Sequence, residues 1–168
     1  HDEIDIEFIR AQFPAFSEPQ LDGNAFFENA GGSYMCKQVI NRFDRYFKQR
    51  KVQPYGLYKA SELAGQEMDE ARNRMAEYLN VFPNEVLFGP STSQNTYVLA
   101  QGFLNKMGNR NTIIVSEQEH EANAGSWHRM ESRGVNVKLW KINPDNGCLD
   151  IEDLKKLLND KVFLVAVT

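Results

Sequence analysis

Three short clusters in this 168-residue chain hold the side chains best suited to chemistry. The first is Ser91-Thr92-Ser93, three hydroxyls in a row directly after Gly89-Pro90. Gly permits turn geometry and Pro cannot continue a strand ladder, so this pair ends the apolar run Val86-Leu87-Phe88. Val98, Leu99, Phe103 and Leu104 follow at helical spacing, which places the hydroxyls at a helix start. The first turn of a helix leaves N–H groups unpaired at the positive end of its dipole. Hydroxyls there either cap the helix or join the N–H groups in holding a phosphate. The second cluster, Glu117-Gln118-Glu119-His120-Glu121-Ala122-Asn123, follows the apolar run 112–116. Of the three histidines, His1 is terminal and His128 lies in a helical pattern, whereas His120 falls at a strand's carboxyl end. An imidazole there can stack on a ligand ring or act as an acid–base group, with the neighbouring glutamates favouring its protonated form. The alternative is a solvated acidic helix start. The third cluster, Asn29-Ala30-Gly31-Gly32, either offers backbone N–H groups to a ligand at close approach or simply makes a tight turn.

Other chemistries lack their residues. The GxGxxG spacing of a dinucleotide-binding turn is missing, and no Gly-Lys-Ser/Thr follows the hydroxyls as in an NTPase phosphate loop. A single histidine among scattered carboxylates has no metal-ligand spacing, so no metal is expected. Cys36 and Cys148 are the only cysteines and lie far apart in sequence. They form neither a zinc pattern nor a disulfide framework, which suits a reducing cytoplasm.

The elements that must position these clusters follow from periodicity and punctuation. Residues 5–13 read as a short helix stopped by Pro14, and 25–27 as a brief strand running into the glycine turn. Helices are predicted over 34–51, with Val39, Ile40, Phe43, Tyr46 and Phe47 on one face, and over 61–79, with Met68, Ala71, Met75 and Tyr78 inward. Residues 80–85 connect to a strand at 86–88. Beyond it a strand at 112–116, a helix at 122–132 ended by Gly134, and a strand at 135–142 alternate. A turn at 143–147, a helix capped by Asp150 and a strand at 162–167 complete the pattern. Such alternation predicts an α/β fold with a mostly parallel sheet, a partial three-layer sandwich preceded by N-terminal helices. The chain stops one residue after an apolar strand of the kind buried on both faces, which reads as a piece of a longer polypeptide.

Composition narrows the partners. Hydrophobic residues are 42% and charged residues 25%, ordinary for a globular domain. Nineteen basic against 23 acidic residues leave a net charge of −4, which gives no reason to expect nucleic acid or an anionic membrane. No apolar run is long enough to span a bilayer, and the acidic start lacks the basic and apolar regions of a signal peptide.

Jointly, four segments resemble the amino-terminal part of the class V aminotransferase and cysteine desulfurase family, pyridoxal-phosphate enzymes of fold type I. They are FFENAGGS at 26–33, EVLFGPSTSQNTYVLA at 85–100, IIVSEQEHEANAGSW at 113–127 and VKLWKINPDNGCLDIEDLKKLL at 137–158. The resemblance implies that Thr92 and Ser93 bind the cofactor phosphate through N–H and hydroxyl groups. It implies that His120 stacks on the pyridine ring and assists proton transfer, and that Ala30 and Gly31 lie near the substrate carboxylate. Asn123 matches a family asparagine with a structural role. The resemblance further implies an amino-acid substrate, a cytoplasmic homodimer, and a division into residues 1–80, a helical segment with the substrate-side turn, and 81–168, the first part of the cofactor-binding large domain. The family's pyridine-nitrogen partner, its Schiff-base lysine and the desulfurase cysteine all fall after Thr168. Cys36 and Cys148 do not match that cysteine.

The chain also departs from the pattern. Glu28 replaces the usual Asp, Gly31-Gly32 an Ala-Thr, and Ser91 a glycine, and no proline precedes Trp127. These departures suggest a subgroup whose substrate need not be cysteine, and cysteine desulfuration, transamination, epimerisation and related eliminations all stay open. Two other readings stand beside this one: a phosphate-sugar or nucleotide-binding α/β enzyme using the 91–93 hydroxyls alone, and a non-catalytic homologue of the pyridoxal-phosphate fold.

Overall fold

The computed structural model describes residues Ile4–Thr168; His1 lies outside them. The chain divides after Val86 into two compact units. The second, Leu87–Thr168, holds the sheet. Its elements are α4 (Thr92–Leu104), β1 (Thr112–Ser116), α5 (Glu121–His128), β2 (Asn136–Trp140), α6 (Ile151–Leu157) and β3 (Val162–Ala166). The three strands are parallel in the order β2-β1-β3. Ile113 is level with Val137 on one side and with Leu164 on the other.

Every residue of β1 is buried. A strand flanked on both edges and covered on both faces must be apolar throughout, and Ile113, Ile114 and Val115 supply that. Side chains alternate across the sheet, so Ile113 and Val115 face one layer and Ile114 the other. The first layer is α4 and α5: Ala100, Met107, Trp127, Met130 and Val135 close around Ile113 and Val115. Phe103 stacks on Trp127 at 6.3 Å and meets Phe163 edge-on at 5.7 Å. The crossovers β1-α5-β2 and β2-α6-β3 run in opposite directions along the sheet. Right-handed connections therefore put α5 and α6 on opposite faces, which gives the three layers expected from the alternation.

The first unit contains α1 (Ile6–Arg10), α2 (Lys37–Arg45) continued by a π turn at Tyr46–Arg50, and α3 (Lys59–Leu79). Asp5 caps α1, its carboxylate accepting from the Phe8 N–H at 2.8 Å. Buried Ser61 binds the incoming loop to α3: its hydroxyl accepts from the Gly56 N–H at 2.6 Å and donates to the Gln53 carbonyl. Glu67 on α3 gathers Arg45 at 2.8 Å, Arg50 at 3.1 Å and Arg42 at 3.5 Å.

Several expectations fail here for identifiable reasons. Residues 25–27 and 86–88 form no strand. A strand needs a paired edge, and none of the described residues supplies one; Leu87 is 88% exposed. On α4 the inward stripe is Thr96, Ala100, Phe103 and Leu104, while Val98 and Leu99 face out. The true stripe begins at a threonine whose hydroxyl is satisfied by the Thr92 carbonyl at 2.9 Å, so a polar residue hid it. On α3 the buried residues are Ser61, Ala64, Gly65 and Ala76, whereas Met68, Met75 and Tyr78 are exposed. Small residues mark this contact because the backbone comes close: a Cβ on Gly65 would lie 2.6 Å from the Tyr55 ring. The predicted helix 34–51 begins only at Lys37, and β3 is half-buried along most of its length.

Ile113, with no exposed surface, tests the role of the central strand. Ile113→Ala should destabilise the protein by about 2–5 kcal/mol in urea denaturation, against about 0.5 kcal/mol or less for Asp153→Ala in an exposed ion pair.

Candidate functional site

In a doubly wound sheet of strand order 2-1-3, the crevice beyond the carboxyl ends of β1 and β3 is where a ligand would sit. α4 enters β1 through the short connection 105–111 and so runs back along it, while α5 starts at the carboxyl end of β1. Both helix N-termini therefore point to that same edge. Thr92, Ser93 and His120 lie there together; Ala30 and Gly31 belong to the first unit.

At the start of α4 the three hydroxyls have separate roles. Ser91 is the N-cap, its Oγ accepting from the Gln94 N–H at 3.2 Å. Thr92 and Ser93 follow it, exposed, and among the described residues no acceptor meets their N–H or hydroxyl groups. The segment thus both caps itself and leaves a donor set open, where the sequence left the two roles as alternatives. Gly89 makes room for this turn: a Cβ there would run into the side-chain amide of Asn95.

His120 is exposed and is the N-cap of α5. Its Nδ1 accepts the Ala122 N–H at 3.0 Å, so the neutral ring carries its proton on Nε2. Its carbonyl accepts from Asn123 and Ala124 at 2.9 and 3.0 Å. Two of the flanking glutamates are engaged elsewhere. Glu117 accepts from the Ile142 N–H at 2.8 Å, and Glu119 turns into the β1/β3 crevice. There Oε1 of Glu119 accepts from Ser116 Oγ at 2.6 Å and the Thr168 N–H at 2.8 Å. Its Oε2 accepts from Asn123 Nδ2 and Thr168 Oγ1, both at 2.6 Å. Burial raises this carboxyl, but the hydrogen bonds from Ser116, Thr168 and Asn123 outweigh it and leave its pKa at about 2. Oδ1 of Asn123 accepts in turn from the indole of Trp127 at 2.9 Å. Sequence reasoning passed over Glu119 because an acidic run after a strand reads as solvated. The available signal was its spacing: Ser116 and Asn123 lie three residues before and four after it.

The glycine segment forms a turn, with the Gly31 N–H donating to the Glu28 carbonyl at 3.1 Å. Ala30 and Gly31 are exposed, and Gly31 lines a groove of about 420 Å³ with Phe26, Glu28 and Tyr34. Cys36 and Cys148 are free thiols. The described residues hold no group of three or more metal-ligating side chains, and no helix among them is long and apolar enough to cross a membrane.

The sequence profile of the family Aminotransferase class-V matches residues 25–168. This chain belongs to that family. The match spans the glycine turn and His120 as well as the hydroxyls, which a nucleotide-binding reading of 91–93 alone leaves unexplained. This class V chain is 32% identical to an aminotransferase-like protein of Gibberella zeae, over 97% of its own length and 40% of that protein. It is 29% identical to a cysteine desulfurase of Serratia proteamaculans, over 97% of itself and 41% of that protein. The apo structure of a cysteine desulfurase from Thermococcus onnurineus shares its fold, with a TM-score of 0.78 at 24% identity over 92% of this chain and 38% of that one. The class V chain thus spans about 40% of the length of the curated relatives it matches.

The Glu119 network has a pH signature. A carboxyl held at about 2 instead of its ordinary 4.5 contributes stability that is complete above pH 4.5 and is lost as the pH falls through about 2. Glu67, lowered by Arg45 and Arg50 against the effect of its burial, acts in the same direction. Thermal melts across this acid window should therefore show a weaker pH dependence in Glu119→Gln than in wild type, with the residual slope coming from Glu67. Identical slopes would mean that the carboxylate is not held as described.

Proposed function

We propose that this chain is the phosphate- and ring-binding part of a pyridoxal-phosphate enzyme that acts on an amino acid, cysteine desulfurase-like or class V aminotransferase-like. The observation that carries the reading is the open donor set of Thr92 and Ser93 at the head of α4, on the same edge as His120. Two N–H groups and two hydroxyls without acceptors among the described residues, at the positive end of a 13-residue helix, fit a phosphate dianion. His120 presents an exposed ring whose Nε2–H is free to donate, suited to lie against an aromatic ring and to hand on a proton. Bound pyridoxal phosphate would supply the electron sink for bond breaking at the substrate.

The chain's own residues then divide the work. Thr92 and Ser93 anchor the phosphate, and His120 orients the ring and holds the proton at Nε2. Ala30 and Gly31, without bulk on their exposed turn, leave room for a substrate carboxylate. In this reading residues 1–80 form the helical segment with the substrate-side turn, and 81–168 begin the cofactor-binding large domain. The parent enzyme is a cytoplasmic homodimer. Its substrate is an amino acid, and the departures at Glu28, Gly31, Gly32 and Ser91 point to one other than cysteine.

The test is a titration of the intact apoprotein with pyridoxal phosphate, followed by absorbance. Ser93→Ala and Thr92→Ala should each weaken binding by about 1–2 kcal/mol, the scale of a lost charge-assisted hydrogen bond. Full affinity in both variants would remove these hydroxyls from the site. His120→Ala should shift the cofactor's absorption band and slow turnover, while His128→Ala should do neither. A protein that binds the cofactor but turns over no amino acid would be the non-catalytic homologue.

A further inference from the structure

His120 can serve a cofactor ring only if its own ring is held in one orientation and one tautomer, and its exposure means that packing does not hold it. We propose that Glu119 is the positioning residue for His120, a carboxylate clasp that pins the β1-α5 turn and thereby fixes the imidazole. The proposal rests on the reading that His120 faces the cofactor.

The geometry is closed on every side. Ser116 ends β1, Thr168 lies two residues beyond β3, and Asn123 is in the first turn of α5. One carboxylate receives donors from all three, two on each oxygen. A carboxylate has about four lone-pair sites, so Glu119 is saturated. His120 is the next residue. Upstream it is held through Glu119, and downstream through its carbonyl and Nδ1, both bonded to N–H groups of α5. Without the clasp, the peptide before His120 is tied only by backbone, and water competes with the Ala122 N–H for Nδ1.

The clasp also requires a carboxylate rather than an amide. In Glu119→Gln the new NH₂ group replaces one oxygen. At the Oε1 position it confronts the Thr168 N–H, which can only donate. At the Oε2 position it confronts Nδ2 of Asn123. Asn123 cannot turn its amide over to help, because its Oδ1 accepts from the Trp127 indole, also a pure donor. Either orientation leaves two donors face to face. Adding Asn123→Asp removes the conflict: one aspartate oxygen still accepts from Trp127, the other accepts from the amide introduced at position 119, and the site keeps its single negative charge.

The experiment labels histidine with ¹⁵N in the intact protein and reads the ring tautomers by long-range proton–nitrogen correlation, without cofactor. Wild type should show His120 as a single species with the proton on Nε2. Glu119→Gln should lose that single signal to a mixture or to exchange broadening. The double variant Glu119→Gln/Asn123→Asp should recover it, with the His128 signal unchanged throughout as a control for folding. An unaltered His120 signal in Glu119→Gln, or no recovery in the double variant, overturns the proposal. Pyridoxal phosphate is then added to wild type. A shift of the His120 signal supports the cofactor reading, and an immobile His120 signal sinks that reading, and with it the catalytic purpose of the clasp, even where the tautomer results show the clasp itself. In the cofactor-loaded protein, Glu119→Gln should displace the absorption band in the same direction as His120→Ala, and the double variant should return it.

Discussion

The second unit depends on keeping water away from β1. Its five residues are buried, with a neighbour on each edge and a helical layer on each face. Such a strand has free backbone only at its ends, and its carboxyl end is where the chain next turns. The candidate ligand edge follows from this constraint. The strand's apolar residues fix the layers, the layers fix where α4 and α5 begin, and those beginnings supply unpaired donors. The candidate site is built mainly from helix ends, beside one carboxylate that turns inward.

The sequence made most of this unit legible. Strand 112–116 is found at the same residues in the structure, and the two later strands and their helices lie within a residue or two at most ends. Their signals are local: apolar runs bounded by Gly, Pro and a capping Asp. What was not legible depended on partners distant in sequence. Residues 86–88 have strand composition, yet a strand is a property of a pair. The inward faces of α3 and α4 are set by serine, glycine, alanine and threonine, residues that carry little hydropathy. Ser61 and Thr96 are buried because backbone carbonyls accept their hydroxyls, and a periodicity of apolar residues cannot register that.

The candidate site was legible as residues and only partly as local structure. The hydroxyls and the histidine stand out from their types and their places after strands. Their division of labour needed coordinates: Ser91 caps α4, which leaves Thr92 and Ser93 open. The acidic stretch around His120 reads as charge in water, but Glu117 is drawn back to β2's exit and Glu119 to Thr168, 49 residues away. A contact of that sequence separation leaves no trace in local pattern.

Trp127 is 4% exposed and belongs to the hydrophobic core, yet its indole N–H sets which way the Asn123 amide faces. The core therefore holds one bit of polar information that the site reads. Replacing the indole by phenylalanine or leucine would cost some packing, as any core change does. It would also leave Oδ1 of Asn123 without its donor, while the Glu119 carboxylate, which only accepts, still holds Nδ2 toward it. In terms of mutational drift, position 127 is not free to exchange one aromatic for another: a change silent in shape would still leave a polar atom of the network without its partner.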